Sequence, residues 1–180
     1  MAADFLMFDH RMTWLRTLAD STNSALNQLK TLSELQPWFD GTFMLEHSEY
    51  FLGPLAVAAH TYCVGAIADF KRFYPELELS KRSKQEFFRL YPNTQGKPTS
   101  IELLCAVSNL FKHRDEWGSP WPTNYTTGVL AQFGIEAKTE FPVYQGFSEL
   151  DLWSDLGGRL QSLLEEWGAI ISIEAEKGAK

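Results

Sequence analysis

"FLGPLAVAAHTYCVGAIADF", Phe51–Phe70, is the most apolar stretch of the chain. Leu55, Ala56, Val57, Ala58, Ala59, Val64, Ala66 and Ile67 cover most of the circumference of a helix rather than a single face. That pattern marks a helix buried on nearly all sides. Gly53, Pro54, His60 and Asp69 interrupt the run, so it falls short of a continuous membrane span. Ala58, Ala59, Gly65 and Ala66 are small enough to let neighbouring helices approach closely. The reading predicts a central helix from about Glu46 to Phe73, with Pro54 marking either its true start or a kink.

Outward from this helix, the flanking segments carry helical periodicity. Phe5, Phe8, Met12, Leu15 and Leu18 recur at three- and four-residue steps, and Ala25, Leu26, Leu29 and Leu32 resume the stripe. Between them "DSTNS", Asp20–Ser24, has poor helix propensity and reads as a bend, a break or a polar exposed turn. Pro37 and Gly41 end the element. A short helix is expected near Ser83–Leu90. Ser100 is the expected cap of a third main helix, Ile101 to about Glu116, with Ile101, Leu104, Cys105, Val107, Leu110 and Phe111 inward. The segment from Trp121 to Gly146 reads as irregular, with a short helix near Thr126–Phe133 and a brief extended piece at "KTEFPVY". A last helix is expected from about Glu149 to Trp167, capped by Ser148, with Leu150, Trp153, Leu156, Leu160, Leu163, Leu164 and Trp167 as its stripe. Its tail, "EAEKGAK", is expected to fray. The fold class that follows is all-α. It is a single domain over residues 1–180, a helical bundle of about four main helices with a long aromatic-rich loop before the last.

Composition narrows the function. The chain has 180 residues, of which 44% are apolar and 14% aromatic, enough for a core without disulfide or metal. Cys63 and Cys105 lie in apolar stretches and read as buried free thiols; neither has histidines at ligand spacing, so no metal or other cofactor is expected. The net charge is −7, which disfavours a dedicated binder of nucleic-acid backbone and suits a basic protein partner. The densest basic stretch, Lys81–Arg89, reads as a solvated loop and helix face. The N-terminus, "MAADFLMFDHR", lacks the basic start and apolar run of a signal peptide, so a cytoplasmic protein with no membrane association is expected.

One stretch invites a chemical reading. In "SNLFKHRDEW", Ser108–Trp117, Asn109 and His113 stand four apart and share a helix face. A histidine held by a helical asparagine can act as general acid or base. Asn109-Leu110-Phe111-Lys112-His113 resembles the motif of the HEPN superfamily, small α-helical bundles that include many ribonucleases. That motif is an arginine, a polar residue that is often asparagine, three variable residues and a histidine. Ser108 occupies the arginine position. The resemblance implies His113 as the proton-transfer residue, Asn109 as its orienting neighbour, Lys112 or Arg114 in place of the missing arginine, and a site paired across a homodimer. The alternative is structural: His113, Lys112 and Arg114 end a helix and complement its negative pole, while Asp115 and Glu116 pair with them. His60 is expected to be a hydrogen-bonded core histidine.

The first functional expectation is a non-enzymatic protein-binding domain, an immunity protein or antitoxin that neutralises a basic toxin such as a nuclease. Trp117, Trp121 and Tyr125, in the aromatic-rich loop, are the expected anchors, with Asp115 and Glu116 as charged contacts; the alternative is that the loop aromatics simply pin it to the bundle. The second is a divergent HEPN-type ribonuclease using His113.

Overall fold

A computed structural model describes residues 10–36, 40–92 and 96–178. Among them are seven α-helices and one 3-10 turn, with no strand, so the protein is all-α. The helices are α1 (His10–Leu35), α2 (Gly41–Phe73), α3 (Lys84–Phe88), α4 (Ser100–His113), α5 (Tyr125–Gln132), α6 (Pro142–Glu149) and α7 (Leu156–Gly178); the 3-10 turn is Glu78–Lys81.

The central helix is α2, as its apolar circumference predicts. It packs against α1 on one side and against α4 and α6 on others, while α7 lies along α1. Leu52, Leu55, Ala56, Ala59, Cys63, Ala66, Ile67 and Phe70 of α2 are buried. The helix begins at Gly41 rather than near Glu46, because the Asp40 carboxylate accepts the Phe43 amide at 3.0 Å and caps it. Pro54 lies inside it, neither a start nor a terminus. By length and composition alone, α2 does pass as a helix able to cross a membrane, despite its interruptions; half of its most apolar window is buried inside the protein. Its interface with α4 is close: a Cβ on Gly53 would meet the Phe111 ring.

Three expectations need correction. First, α1 is continuous through Asp20–Ser24. Ser21 and Thr17 turn their hydroxyls back onto the carbonyls four residues earlier, at 2.8 and 2.9 Å, which satisfies these polar side chains without leaving the helix. Within its stripe Leu15 and Leu29 are buried, but Leu18 and Leu32 are exposed; Phe5 and Phe8 lie outside the described residues. Second, the cap of α4 is Thr99, not Ser100. Thr99 Oγ1 accepts the Glu102 amide at 3.1 Å and the Glu102 carboxylate accepts the Thr99 amide at 2.8 Å, a reciprocal capping box. The helix stops at His113 rather than Glu116.

Third, the segment before the last helix holds two helices rather than one. The predicted short helix is α5, but "KTEFPVY" is not extended: Pro142 opens α6 at its first turn. Ser148 sits inside α6 and accepts the Trp153 indole N–H at 3.0 Å instead of capping a following helix. The last helix starts only at Leu156, where Asp155 accepts the Gly158 amide at 3.0 Å. Asp151, with φ of 51°, turns the chain between the two. The tail does not fray at Glu174: α7 continues to Gly178, and Ala175 is fully buried, while Ala179 and Lys180 lie outside the described residues.

Candidate functional site

Two concave places are candidates. The first is a cleft of about 520 Å3 enclosed by α2, α3, α4 and the first turn of α5. His60 of α2 stands in it, with Nδ1 3.1 Å from Ser108 Oγ of α4 and its ring edge-on to Phe88. Burial, reinforced by Lys112 and Lys84, pushes the His60 pKa down to about 4, so the ring is neutral at pH 7. Asn109 also lines the cleft and donates from Nδ2 to Thr126 Oγ1 at 3.4 Å. Lys112 reaches the cleft from α4 and Lys84 from α3. Cys105, a buried free thiol, also lines the cleft; burial, then the neighbouring buried Cys63, holds its pKa well above the usual thiol range. An inert Cys105 thiol is the consequence.

Asn109 and His113 share a helix but not a site. His113 is the last residue of α4 and lies outside the cleft, half-exposed, with Nδ1 3.1 Å from Glu116 Oε2. Arg114 goes elsewhere: its guanidinium donates to Glu49 of α2 at 2.6 Å. Glu49 is buried and its other oxygen accepts the Val143 amide at 2.7 Å and the Tyr144 amide at 3.3 Å, so it serves as the missing cap of α6. Lys112 is therefore the only one of the three basic residues at this helix end that faces the cleft holding Asn109. His113→Ala is expected to lower stability by at most about 1 kcal/mol, the value of an exposed helix-end interaction. Chemical denaturation of the variant checks this; a loss of several kcal/mol would show that His113 carries packing not visible in its contacts.

The second place is a groove, also of about 520 Å3, beside the connection between α4 and α5. Pro120, Trp121, Pro122, Ala131 and Ile135 supply apolar lining, and Glu136 and Lys138, paired at 3.2 Å, close one side. Trp121 meets Trp117 edge-on, with ring centroids 5.6 Å apart, and both are half-buried against the core. Asp115 and Glu116, one turn back along the chain, are exposed; the Asp115 side chain is 99% accessible. Tyr125 is not part of this face. Its hydroxyl donates to the buried Glu102 at 2.6 Å, and burial followed by that carboxylate pushes its pKa well above the tyrosine range. The Arg89 guanidinium bonds the same carboxylate at 3.1 Å and lies over the Tyr125 ring. Trp117 and Trp121 thus meet, with Asp115 and Glu116 immediately before Trp117 in the chain, while Tyr125 ties α5 to the capping box of α4.

Sequence reasoning missed His60 and Lys84 as members of one site. Lys84 belongs to the basic stretch read as a solvated face, and nothing local in the sequence joins it to His60. Among the described residues no three metal-ligating side chains come together. Comparison with known proteins yields no match: no protein-family model, no curated protein and no solved structure matches the chain. Function is read from these two places alone.

Proposed function

We propose that the chain is a non-enzymatic protein-binding domain that docks a basic partner on the Trp121 groove, as an immunity protein or antitoxin docks its toxin. It is organised on a bundle of four main helices, α1, α2, α4 and α7, and its aromatic-rich connection before the last helix presents the groove. The observations that carry the reading are an apolar groove at Trp121, the edge-on meeting of Trp121 with Trp117, and the exposed carboxylates Asp115 and Glu116 that immediately precede Trp117 in the chain. Aromatic anchors surrounded by charge are the usual makeup of an interface centre and rim. The net charge of −7 extends the complementarity to a basic partner and favours fast, salt-sensitive association. Lys138, the cation beside the groove, is neutralised by Glu136.

The test is co-expression with the product of the neighbouring gene and titration of the purified pair. Trp121→Ala is expected to weaken the complex by about thirtyfold, the loss of an interface hot spot. Because Trp121 also packs against the core, the melting temperature of the variant is measured beside it. A neighbour that neither binds nor is toxic contradicts the reading. Ribonuclease action through His113 is the competing proposal. It predicts RNA cleavage by the purified protein that disappears in His113→Ala, and equal background in both removes it.

A further inference from the structure

The cleft around His60 is chemically unlike the rest of the molecule. The chain has 23 acidic against 16 basic residues, yet no carboxylate lines the cleft and both charged lining residues, Lys84 and Lys112, are cations. Among the described residues neither lysine makes an ion pair or a side-chain hydrogen bond with the protein. Most other cations do: Arg11 is paired with Asp69, Arg89 with Glu102, Arg114 with Glu49 and Arg159 with Asp151. Glu102, the carboxylate that takes the Tyr125 hydroxyl beside the cleft, is already neutralised by Arg89. The two free ammonium groups approach from different helices, α3 and α4, and face one space.

Between them His60 offers a third polar group. Its Nδ1 is engaged by Ser108, and Nε2 has no partner among the described residues. The remaining wall is mixed: Phe88, Val64 and Ala106 are apolar, and Gln85 and Asn109 bring amides. A volume near 520 Å3 lies within the range of small-molecule sites. Lysine ammonium groups are standard phosphate ligands, and an apolar wall with a few amides suits the organic part of the same molecule.

We propose that this cleft binds a small organic phosphate of about nucleotide size, with Lys84, Lys112 and His60 taking the phosphate and the Phe88 wall taking the organic group. The charges of Lys112 and Lys84, which reinforce the effect of burial on His60, are the charges that attract the anion. The site is separate from the Trp121 groove, so it stands or falls independently of partner docking.

Calorimetric titration of the intact protein at constant ionic strength tests it, with ADP, inorganic phosphate and adenosine as probes. ADP is expected to bind at one site per chain, phosphate more weakly at the same site in competition with it, and adenosine weakest. Lys84→Gln and Lys112→Gln are each expected to weaken ADP binding about tenfold, the loss of one charge-assisted contact. Both lysines are exposed, so melting temperatures should hold; Lys30→Gln, on the far helix α1, should leave binding unchanged. The proposal is overturned if neither ADP nor phosphate binds, if the two cleft lysines can be replaced without effect, or if adenosine binds as well as ADP. Tight binding of a single-stranded RNA that ADP does not displace also overturns it, in favour of a nucleic-acid surface.

Discussion

Trp167→Ala is expected to lower the unfolding free energy by about 4 kcal/mol. Trp167 of α7 is completely buried, and among the described residues it is the largest fully buried side chain. Its ring packs against Phe88, and its indole N–H donates to the Phe87 carbonyl at 2.9 Å. Truncation therefore opens a cavity where α7 meets α3 and removes one donor from the Phe87 carbonyl, which keeps the Leu90 amide at 3.2 Å. Large-to-small changes of this kind cost about 3–5 kcal/mol, and the lost hydrogen bond adds to the upper part of that range. For a chain of this length the melting temperature should fall by roughly 10 °C. Trp167→Phe separates the two contributions: it keeps most of the packing and loses the donor, so a smaller loss of about 1–2 kcal/mol is expected. Denaturant unfolding of the three proteins measures both, and equal stability of Trp167→Ala and wild type would contradict the packing of α7 described here.

Glu49→Ala is expected to cost about 3 kcal/mol. One carboxylate holds three elements together: it pairs with Arg114 after α4 and caps α6, from its place in α2. Removing one member of a buried ion pair costs about 3–5 kcal/mol because the other is left uncompensated. Arg114 is 29% exposed and can turn towards water, which puts the loss at the low end of that range. Losing the acceptor for the first amides of α6 restores part of the penalty. Glu49→Gln keeps an acceptor for α6 but not the charge, and should fall between wild type and Glu49→Ala. Hydrogen exchange supplies the local signature: the amides of Val143 and Tyr144 should lose protection in Glu49→Ala more than in Glu49→Gln. A Glu49→Ala protein within 1 kcal/mol of wild type would sink the three-way role.

What the sequence disclosed and what it hid divide along one physical line. Apolar periodicity reports how a segment faces the core, so the all-α class, α2 as the central helix and most of the α4 and α7 stripes were legible. Element ends held by distant groups were not. Pro142 is a good first residue for a helix, but the acceptor that makes α6 viable comes from Glu49, 94 residues before Val143. Leu150 and Trp153 keep the helical period of the α7 stripe, yet they precede the helix: Asp151 reverses the backbone and Trp153 folds onto Tyr144 at 4.9 Å. The site divides in the same way. The spacing of Asn109 and His113 correctly places both on α4. It could not show that Asn109 meets Thr126 across a cleft while His113 leaves with Glu116 for the surface. His60 was legible as a hydrogen-bonded histidine, but its partner Ser108 lies 48 residues on. Trp117 and Trp121 stood out in the sequence as large aromatics; both pack partly against the core, and Trp121 also lines the groove.

The proposed docking of a basic partner is tested most directly by reversing the charges of Asp115 and Glu116, which are exposed. In the double variant Asp115→Lys, Glu116→Lys, both side chains start exposed, so the fold should melt as wild type does. Affinity for the co-expressed basic partner should drop about tenfold at low salt, through a slower association rate, and the difference should shrink as salt is raised. Unchanged affinity and unchanged salt dependence in a variant of normal stability would contradict the account.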